Sequence, residues 1–422
     1  MKIRVLGAAR EVGGSCIAVE SDSSKVALDY GIKMDDVTDE YPKNFDAVIV
    51  SHAHLDHSGS LLRLAKSRKN PVIVGSKITR DITVDLLKDM IKIQNTKGNN
   101  EAYDDAIANK VGDAWLPTES FVLPGMNVTM FPAGHVAGAK ITSLECEGKT
   151  VLYTGDFCTH DTEILEGCNL DALPKEPDVL ISESTYGGKV RLPRSLLISQ
   201  FIERVSKTIR SRGNILIPTF AFHRTQEMAK RIDQAMENGV LPKYNAYVIS
   251  KLAQKITAHF NASKQLFTKE IQGQEQPFEY KHLKYVERTT DIEEPAIVVC
   301  TSGFGHAGAS LSLLEQWAEF EDNAIILTSG FLPEDSPLKL AKEKRYFRAP
   351  EDGEKVSVLA TIDQIELSGH ADQTELVDLV RRLKPKKTFL VHGDLEQAEA
   401  LSQKISDLTD VCIPEKNEPF TI

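Results

Sequence analysis

The sequence predicts an α/β protein of two domains, the second a doubly wound parallel sheet inserted into the first. Three observations carry this. At 422 residues the chain is too long for one ordinary core. Between about residues 190 and 345, strand-like apolar runs alternate with long helical patterns, as in a parallel sheet. On either side of that stretch a different pattern holds, in which short apolar runs stop at ligand-type residues; it returns at the end with His370 and His392. The expected boundaries are therefore 1–189 and 346–422 for the first domain and 190–345 for the insertion, with polar loops at 189–193 and 342–355 for the crossings.

Taken in order, residues 1–7 read as a first strand, and the run 26–28 stops at Asp29. The run 45–50 reads as a buried strand and opens on Ser51-His52-Ala53-His54-Leu55-Asp56-His57-Ser58-Gly59. Residues 61–65 read as the first turns of a helix. Residues 80–115 read as two helices with an exposed joint around 97–100, a cover over one sheet face. The run 128–131 leads into His135, 151–153 stops at Thr154-Gly155-Asp156, 179–181 at Ser182-Glu183, and 388–391 at His392. Strand ends that deliver such residues together point to one edge of a sheet core, where α/β proteins place their sites. In the insertion, helical patterns at 196–210 and 225–236 alternate with strands at 214–218, 246–249, 296–300 and 324–327.

The stretch 51–59 organises the chain. A lone histidine is usually a satisfied surface or core residue. Three imidazoles and a carboxylate within six residues have no common structural explanation. In an extended segment, side chains two apart point the same way, so His52 and His54 can grip one ion. Asp56 and His57 turn back from the other side and can serve a second. Neutral imidazole and carboxylate suit borderline metals such as zinc.

Composition is that of a globular protein, 41% hydrophobic and 26% charged. No apolar run approaches a membrane span, and the N-terminus lacks the apolar core and cleavage site of a signal peptide, so a cytoplasmic location is expected. The six cysteines form no CxxC pair and are expected as buried free thiols. The net charge of −11 argues mildly against nucleic acid as partner, although bound divalent cations would restore positive charge locally.

His52-Ala53-His54-Leu55-Asp56-His57, Gly134-His135 and Gly155-Asp156 resemble the metallo-β-lactamase superfamily. Glu183 in Ser182-Glu183-Ser184-Thr185-Tyr186-Gly187, His370 in Ser368-Gly369-His370-Ala371-Asp372 and His392 in Val391-His392-Gly393 resemble the three extra motifs of its β-CASP branch, a group of RNA- and DNA-processing nucleases. The likeness covers essentially the whole chain. The chain resembles compact archaeal and bacterial homologues of the cleavage and polyadenylation specificity factor nuclease subunit and of ribonuclease J. The likeness implies an αββα sandwich with an inserted β-CASP domain. Carried over by position, His52, His54 and His135 would hold one zinc ion and Asp56, His57 and His392 a second, with Asp156 bridging. Asp29 would orient a ligating histidine, or else serve as a turn residue before Gly31. Two zinc ions would activate a water for in-line attack on phosphorus, with Asp56 counted in the catalytic set. His370 would protonate the leaving oxygen or contact phosphate, and Glu183 would hold its tautomer or raise its pKa.

Substrate contacts are expected from the insertion and its edge. Ser302 and Gly303, in Thr301-Ser302-Gly303-Phe304-Gly305 before a helix-like segment at 311–320, would bind phosphate through backbone N–H groups or form a simple turn. Ser368 and Gly369 would help bind a 5′-terminal phosphate. Arg224 would contact a phosphate, or is a surface arginine on a first helical turn. The chain departs from the family pattern at His223, at 249–253, at Gly305-His306-Ala307-Gly308 and at 330–337, all in the insertion, and His223 and His306 are expected to be non-catalytic. The implied function is a zinc-dependent ribonuclease, endonuclease or 5′-to-3′ exonuclease, acting on single-stranded RNA, with a homodimer compatible with the likeness. Competing readings are a thioesterase or lactonase of the same superfamily, a DNA nuclease, or a non-catalytic scaffold; the complete ligand set argues against the last.

Overall fold

The computed structural model describes residues 1–33, 41–67, 71–96, 103–349 and 353–422. The chain divides into two compact units, Met1–Arg191 with Gly369–Ile422, and Leu192–Ser368.

The first unit stacks two seven-stranded sheets. One runs in the order Pro419–Thr421, Lys2–Gly7, Cys16–Glu20, Lys25–Leu28, Ala47–Ile49, Val72–Gly75, Trp115–Pro117. The other runs Asp410–Cys412, Lys387–Val391, Val179–Glu183, Lys149–Tyr153, Lys140–Cys146, Met126–Pro132, Ser120–Leu123. The two-residue period of a strand decides what lies between them. Ile3, Val5, Val26 and Leu28 point inward to meet Val128, Leu144, Val151 and Phe389 of the facing sheet. Leu6 and Ala27, out of phase, point to the other side and join Leu61, Leu64, Leu87, Ile91 and Val111. That outer layer is made by the helices Leu61–Ala65, Lys77–Thr96 and Asp105–Asp113. The helices Gln373–Leu383 and Leu395–Ile405 bury Leu379, Val380 and Leu401 and complete an αββα sandwich. The joint predicted at 97–100 lies outside the described residues.

The second unit is built on a six-stranded sheet in which every pairing is parallel, ordered Lys284–Tyr285, Asn245–Ile249, Ala296–Cys300, Ile215–Pro218, Ala324–Leu327, Thr361–Gln364. Both faces are covered. Helices Arg194–Arg210 and Arg224–Glu237 pack one core, around Phe201, Met228, Ile217 and Val299. Helices Gly308–Trp317 and Pro337–Lys344 pack the other, around Leu313, Leu338, Leu216 and Val298. Double coverage explains the uninterrupted apolar strands. Residues 346–368, expected to belong with the first domain, belong to this unit instead. The physical reason is the strand Thr361–Gln364, which pairs in register with Ala324–Leu327 and extends the sheet, while Ile365 and Leu367 enter its core. The crossing expected at 342–355 is accordingly taken up by the end of a helix and the hairpin of Tyr346–Arg348 with Lys355–Ser357.

Candidate metal centre

The predicted metal-ligating residues, and Asp29 with them, stand just beyond strand ends of the first unit or on the short helix that follows one. Asp29 follows Lys25–Leu28, and His52 and His54 follow Ala47–Ile49. Asp56 and His57 lie on the short helix Leu55–Ser58. His135 follows Met126–Pro132. The strands Lys149–Tyr153, Val179–Glu183 and Lys387–Val391 lie side by side, parallel and in register, so Asp156, Glu183 and His392 emerge at one edge. Gly155, just before Asp156, has φ +51°, and a Cβ there would come within 2.7 Å of the Ser51 side chain; the two strand ends meet this closely only because it is glycine.

Two groups of donor atoms result, each compact enough to surround an ion: His52, His54, His135 and Asp156, and Asp56, His57 and His392. Asp156 lies between them. Its Oδ2 is 3.6 Å from His52 Nε2, 3.3 Å from His57 Nε2 and 3.7 Å from His135 Nε2, and its Oδ1 is 3.2 Å from His392 Nδ1. His392 Nε2 is 3.3 Å from Asp56 Oδ2. The donor set is imidazole and carboxylate without thiolate. Two of its buried atoms, His57 Nε2 and Asp156 Oδ1, make no hydrogen bond among the described residues. Such atoms are costly to bury unpaired, and a cation between the two groups would satisfy both. The residues therefore fit zinc.

The imidazoles are held for ligation. Burial, reinforced by neighbouring His57, holds His52 well below the usual histidine range, and burial lowers His135 in the same way. Burial brings His54 down to about 4 against the pull of Asp56. Neutral rings are what a metal requires. His57 is the exception: burial pushes it down, but Asp156, Asp56 and Asp29 together carry it above its usual range. Asp29 fixes the ring from behind. The carboxylate is fully buried and accepts from the Ser51 N–H at 2.6 Å, the Ser51 hydroxyl at 2.8 Å and the Tyr153 hydroxyl at 2.7 Å. His57 Nδ1 lies 2.7 Å from its Oδ2, so Nδ1 carries the proton and Nε2 faces the donor groups. His135 is fixed in the same manner by Gly369, whose carbonyl accepts from Nδ1 at 2.8 Å.

Beside this centre stand Glu183 and His370. Glu183 is fully buried; its Oε1 accepts the Phe157 N–H at 2.8 Å, and its Oε2 is 2.9 Å from His370 Nδ1. That bond puts the Nδ1 proton on the carboxylate side. Burial pushes the His370 imidazole down, but Glu183 and then Asp156 outweigh it and hold it at about 9. Asp156 Oδ2 is 3.8 Å from the same nitrogen, which links this pair to the donor groups. The His370 carbonyl accepts from the Arg191 guanidinium.

The remaining predicted residues lie in the second unit, in the following local surroundings. Ser302 and Gly303 do not stand at a helix N-terminus: the helix begins at Gly308, and the Ser302 N–H donates to the Ala307 carbonyl inside the loop. Gly303 packs against the Phe220 ring. Arg224, at the start of helix Arg224–Glu237, is mostly buried and ion-paired to Glu227, which also holds Arg194. Ser368 is buried at the end of the second unit. All six cysteines are free, five of them buried and Cys412 partly so.

Sequence reasoning missed the donors to Asp29, which no spacing connects: Ser51 sits inside the histidine stretch and Tyr153 at a strand end a hundred residues away. It also missed the Gly369 carbonyl, since a backbone acceptor leaves no residue-type signal. A third grouping, Cys158, His160 and Glu375, was not foreseen either. Its carboxylate, that of Glu375, accepts from the Thr159 N–H and hydroxyl, the Asp372 N–H and Arg191, so Glu375 closes a capping box with Asp372, the N-cap of helix Gln373–Leu383, and ties the helix start to a neighbouring loop.

Comparison with known proteins agrees with this geometry. Residues 13–186 match the metallo-beta-lactamase superfamily, 225–334 the Beta-Casp domain, and 355–414 the Zn-dependent metallo-hydrolase RNA specificity domain. The chain is 30% identical over 421 residues to cleavage and polyadenylation specificity factor 73 of Drosophila melanogaster, covering 95% of this chain and 61% of that protein. It is 29% identical over 420 residues to the probable RNase MJ4 of Methanocaldococcus jannaschii, covering 95% of each. It is 29% identical over 448 residues to Integrator complex subunit 11 of Gallus gallus, covering all of this chain and 74% of that one. The chain thus spans less than two thirds of the fly relative's length. A crystal structure of a protein of unknown function from Enterococcus faecalis superposes with a TM-score of 0.58 at 13% identity, covering 100% of this chain and 99% of that one, a likeness of fold. Among the described residues, no helix is long and apolar enough to cross a membrane.

Proposed function

The chain belongs to the metallo-β-lactamase superfamily, in the branch that carries a β-CASP domain and an RNA specificity domain, and from that premise we propose that it is a two-zinc ribonuclease that hydrolyses phosphodiester bonds of single-stranded RNA. One observation carries the reading: a carboxylate–imidazole pair, buried Glu183 and partly exposed His370, set against Asp156, the carboxylate that lies between the two donor groups. A metal-ligand cluster alone would serve many hydrolases. A proton donor fixed beside it suits a reaction in which a ribose oxygen must leave.

His52, His54, His135 and Asp156 would hold one ion, and Asp56, His57, His392 and Asp156 the other. When bound, zinc supplies Lewis acidity toward the phosphoryl oxygens and an activated water. The chain's own residues do the rest. Asp29 and the Gly369 carbonyl hold His57 and His135 in one tautomer and one orientation. Glu183 keeps the Nδ1 proton of His370 engaged, which leaves Nε2 to give a proton to the departing ribose oxygen. The partners named for the relatives, and the cutting of RNA that one name states, are properties of those proteins; the shared domains support the same substrate class here.

The test is a cleavage assay on one RNA labelled at either end, offered as 5′-monophosphate, 5′-triphosphate and circle. The reading expects cleavage that a chelator abolishes and that His370→Ala reduces at unchanged zinc content. Cutting of the circle identifies an endonuclease, and mononucleotides from the 5′-monophosphate alone a 5′-to-3′ exonuclease. Zinc-loaded protein that cleaves none of the three sinks the reading.

A further inference from the structure

In the second unit, three neighbouring strands of the parallel sheet send loops from their C-terminal ends. The loop after Ile215–Pro218 carries Phe220, the loop after Ala296–Cys300 carries Phe304 and His306, and the loop after Ala324–Leu327 carries Phe331. The rings gather into one cluster. Phe304 lies edge-on to Phe220 at 5.0 Å and to Phe331 at 6.2 Å between centroids, with His306 at 6.2 Å on another side. Nonetheless Phe220 is 42% exposed and Phe331 61% exposed. Scattered exposed apolar residues are ordinary; a contiguous aromatic group left in water is not. The loop backbone lies close to it: a Cβ at Gly303 would stand 3.1 Å from the Phe220 ring, a tight contact that glycine avoids.

The cluster continues into a cavity of about 380 Å³ lined by His306, Tyr346, Lys344 and Arg348 among others. Lys344 and Arg348 are exposed, and among the described residues of the lining Asp335, 3.3 Å from His306, is the one acid. Open aromatic faces beside cations are the chemistry of single-stranded nucleic acid, whose bases stack and whose phosphates need positive charge. Among the described residues of the lining, cations outnumber acids two to one, whereas the chain as a whole carries −11.

We propose that these three loops form a stacking platform for the bases of single-stranded RNA, with Lys344 and Arg348 taking the adjoining phosphates. The proposal rests on the ribonuclease reading and gives it a substrate-recognition surface.

The test is binding of an oligoadenylate carrying 2-aminopurine to the zinc-loaded His370→Ala chain, so that the RNA stays intact. Stacking quenches the probe. Phe331→Ala is expected to weaken binding about tenfold and relieve the quench. Phe331→Trp should restore both, and Phe331→Leu should restore neither. Lys344→Ala with Arg348→Ala should flatten the salt dependence of Kd. Equal binding by Phe331→Ala, or full recovery with leucine, overturns the platform. Because Phe331 is the most exposed of the three rings, these variants leave the core untouched. The two readings separate cleanly: RNA cleavage by the unsubstituted chain without quenching removes the platform and keeps the nuclease, while quenching that depends on Phe331 in a protein that cleaves no RNA does the reverse.

Discussion

Asp29 shows how much one buried side chain can decide. It takes three hydrogen bonds from Ser51 and Tyr153, and the oxygen that meets both hydroxyls also faces His57 Nδ1. Replacing it with asparagine keeps the volume but removes the charge and one acceptor. Zinc affinity, read by competition with a chromophoric chelator, is expected to fall about 10–100-fold, the usual cost of losing such a support. Unchanged affinity would return Asp29 to the role of a turn residue, for which its φ of +60° is suited. Glu183 acts on His370 instead. Glu183→Gln should lower kcat about 10²–10⁴-fold, the range of general acid catalysis. Zinc content and the Kd for RNA should stay near those of the unsubstituted chain; a parallel loss of zinc would show that Glu183 supports the metal ligands, not the proton donor.

Helix Arg224–Glu237 is unusual for an element of its kind, because its charged residues Glu227, Lys230, Arg231 and Asp233 are all buried. Glu227 is the focus. Burial pushes its carboxyl up, but Arg224 and Arg194, followed by His223 and Arg231, hold it down at about 2. Its folded pKa therefore lies below the value of about 4.3 in an unfolded chain. The stability it contributes, on the order of 3 kcal/mol, is present in full above that unfolded value and is lost as pH falls through about 4 toward 2. Denaturant titrations at pH 7 and pH 3 should show this loss, and Glu227→Gln should be destabilised at pH 7 by about 3–5 kcal/mol and lose less on acidification. Equal acid sensitivity in both proteins would place the loss elsewhere. This element also marks where sequence reading stops. The spacing at 225–236 gave the helix, yet Arg224 read equally well as a phosphate contact or a surface residue, because its partner Glu227 is buried only by tertiary packing. The strand Thr361–Gln364 was missed for a related reason: it is short, at a sheet edge and half-buried throughout, so it carries no apolar run. The metal centre was legible by contrast, since dense histidines at strand ends need no packing information to be noticed.

At the scale of the molecule, the donor groups join segments far apart in the chain, from His52 to His392, and all lie in the unit Met1–Arg191 with Gly369–Ile422. The other unit has its own sheet and two cores of its own. Zinc binds the folded centre and not separated segments, so it should stabilise one unit alone. At free zinc a hundred times Kd the gain is about 2.7 kcal/mol, which for a unit of this length corresponds to roughly 5–10 °C. Calorimetry of the full chain should accordingly show two transitions. Chelation is expected to lower one of them by that amount and leave the other in place, while Glu227→Gln should lower only the second. The crossed design makes the outcome decisive. Were both treatments to move one common transition, the two units would fold as a single cooperative body, and the metal centre would be supporting the parallel sheet as well as the sandwich that carries it.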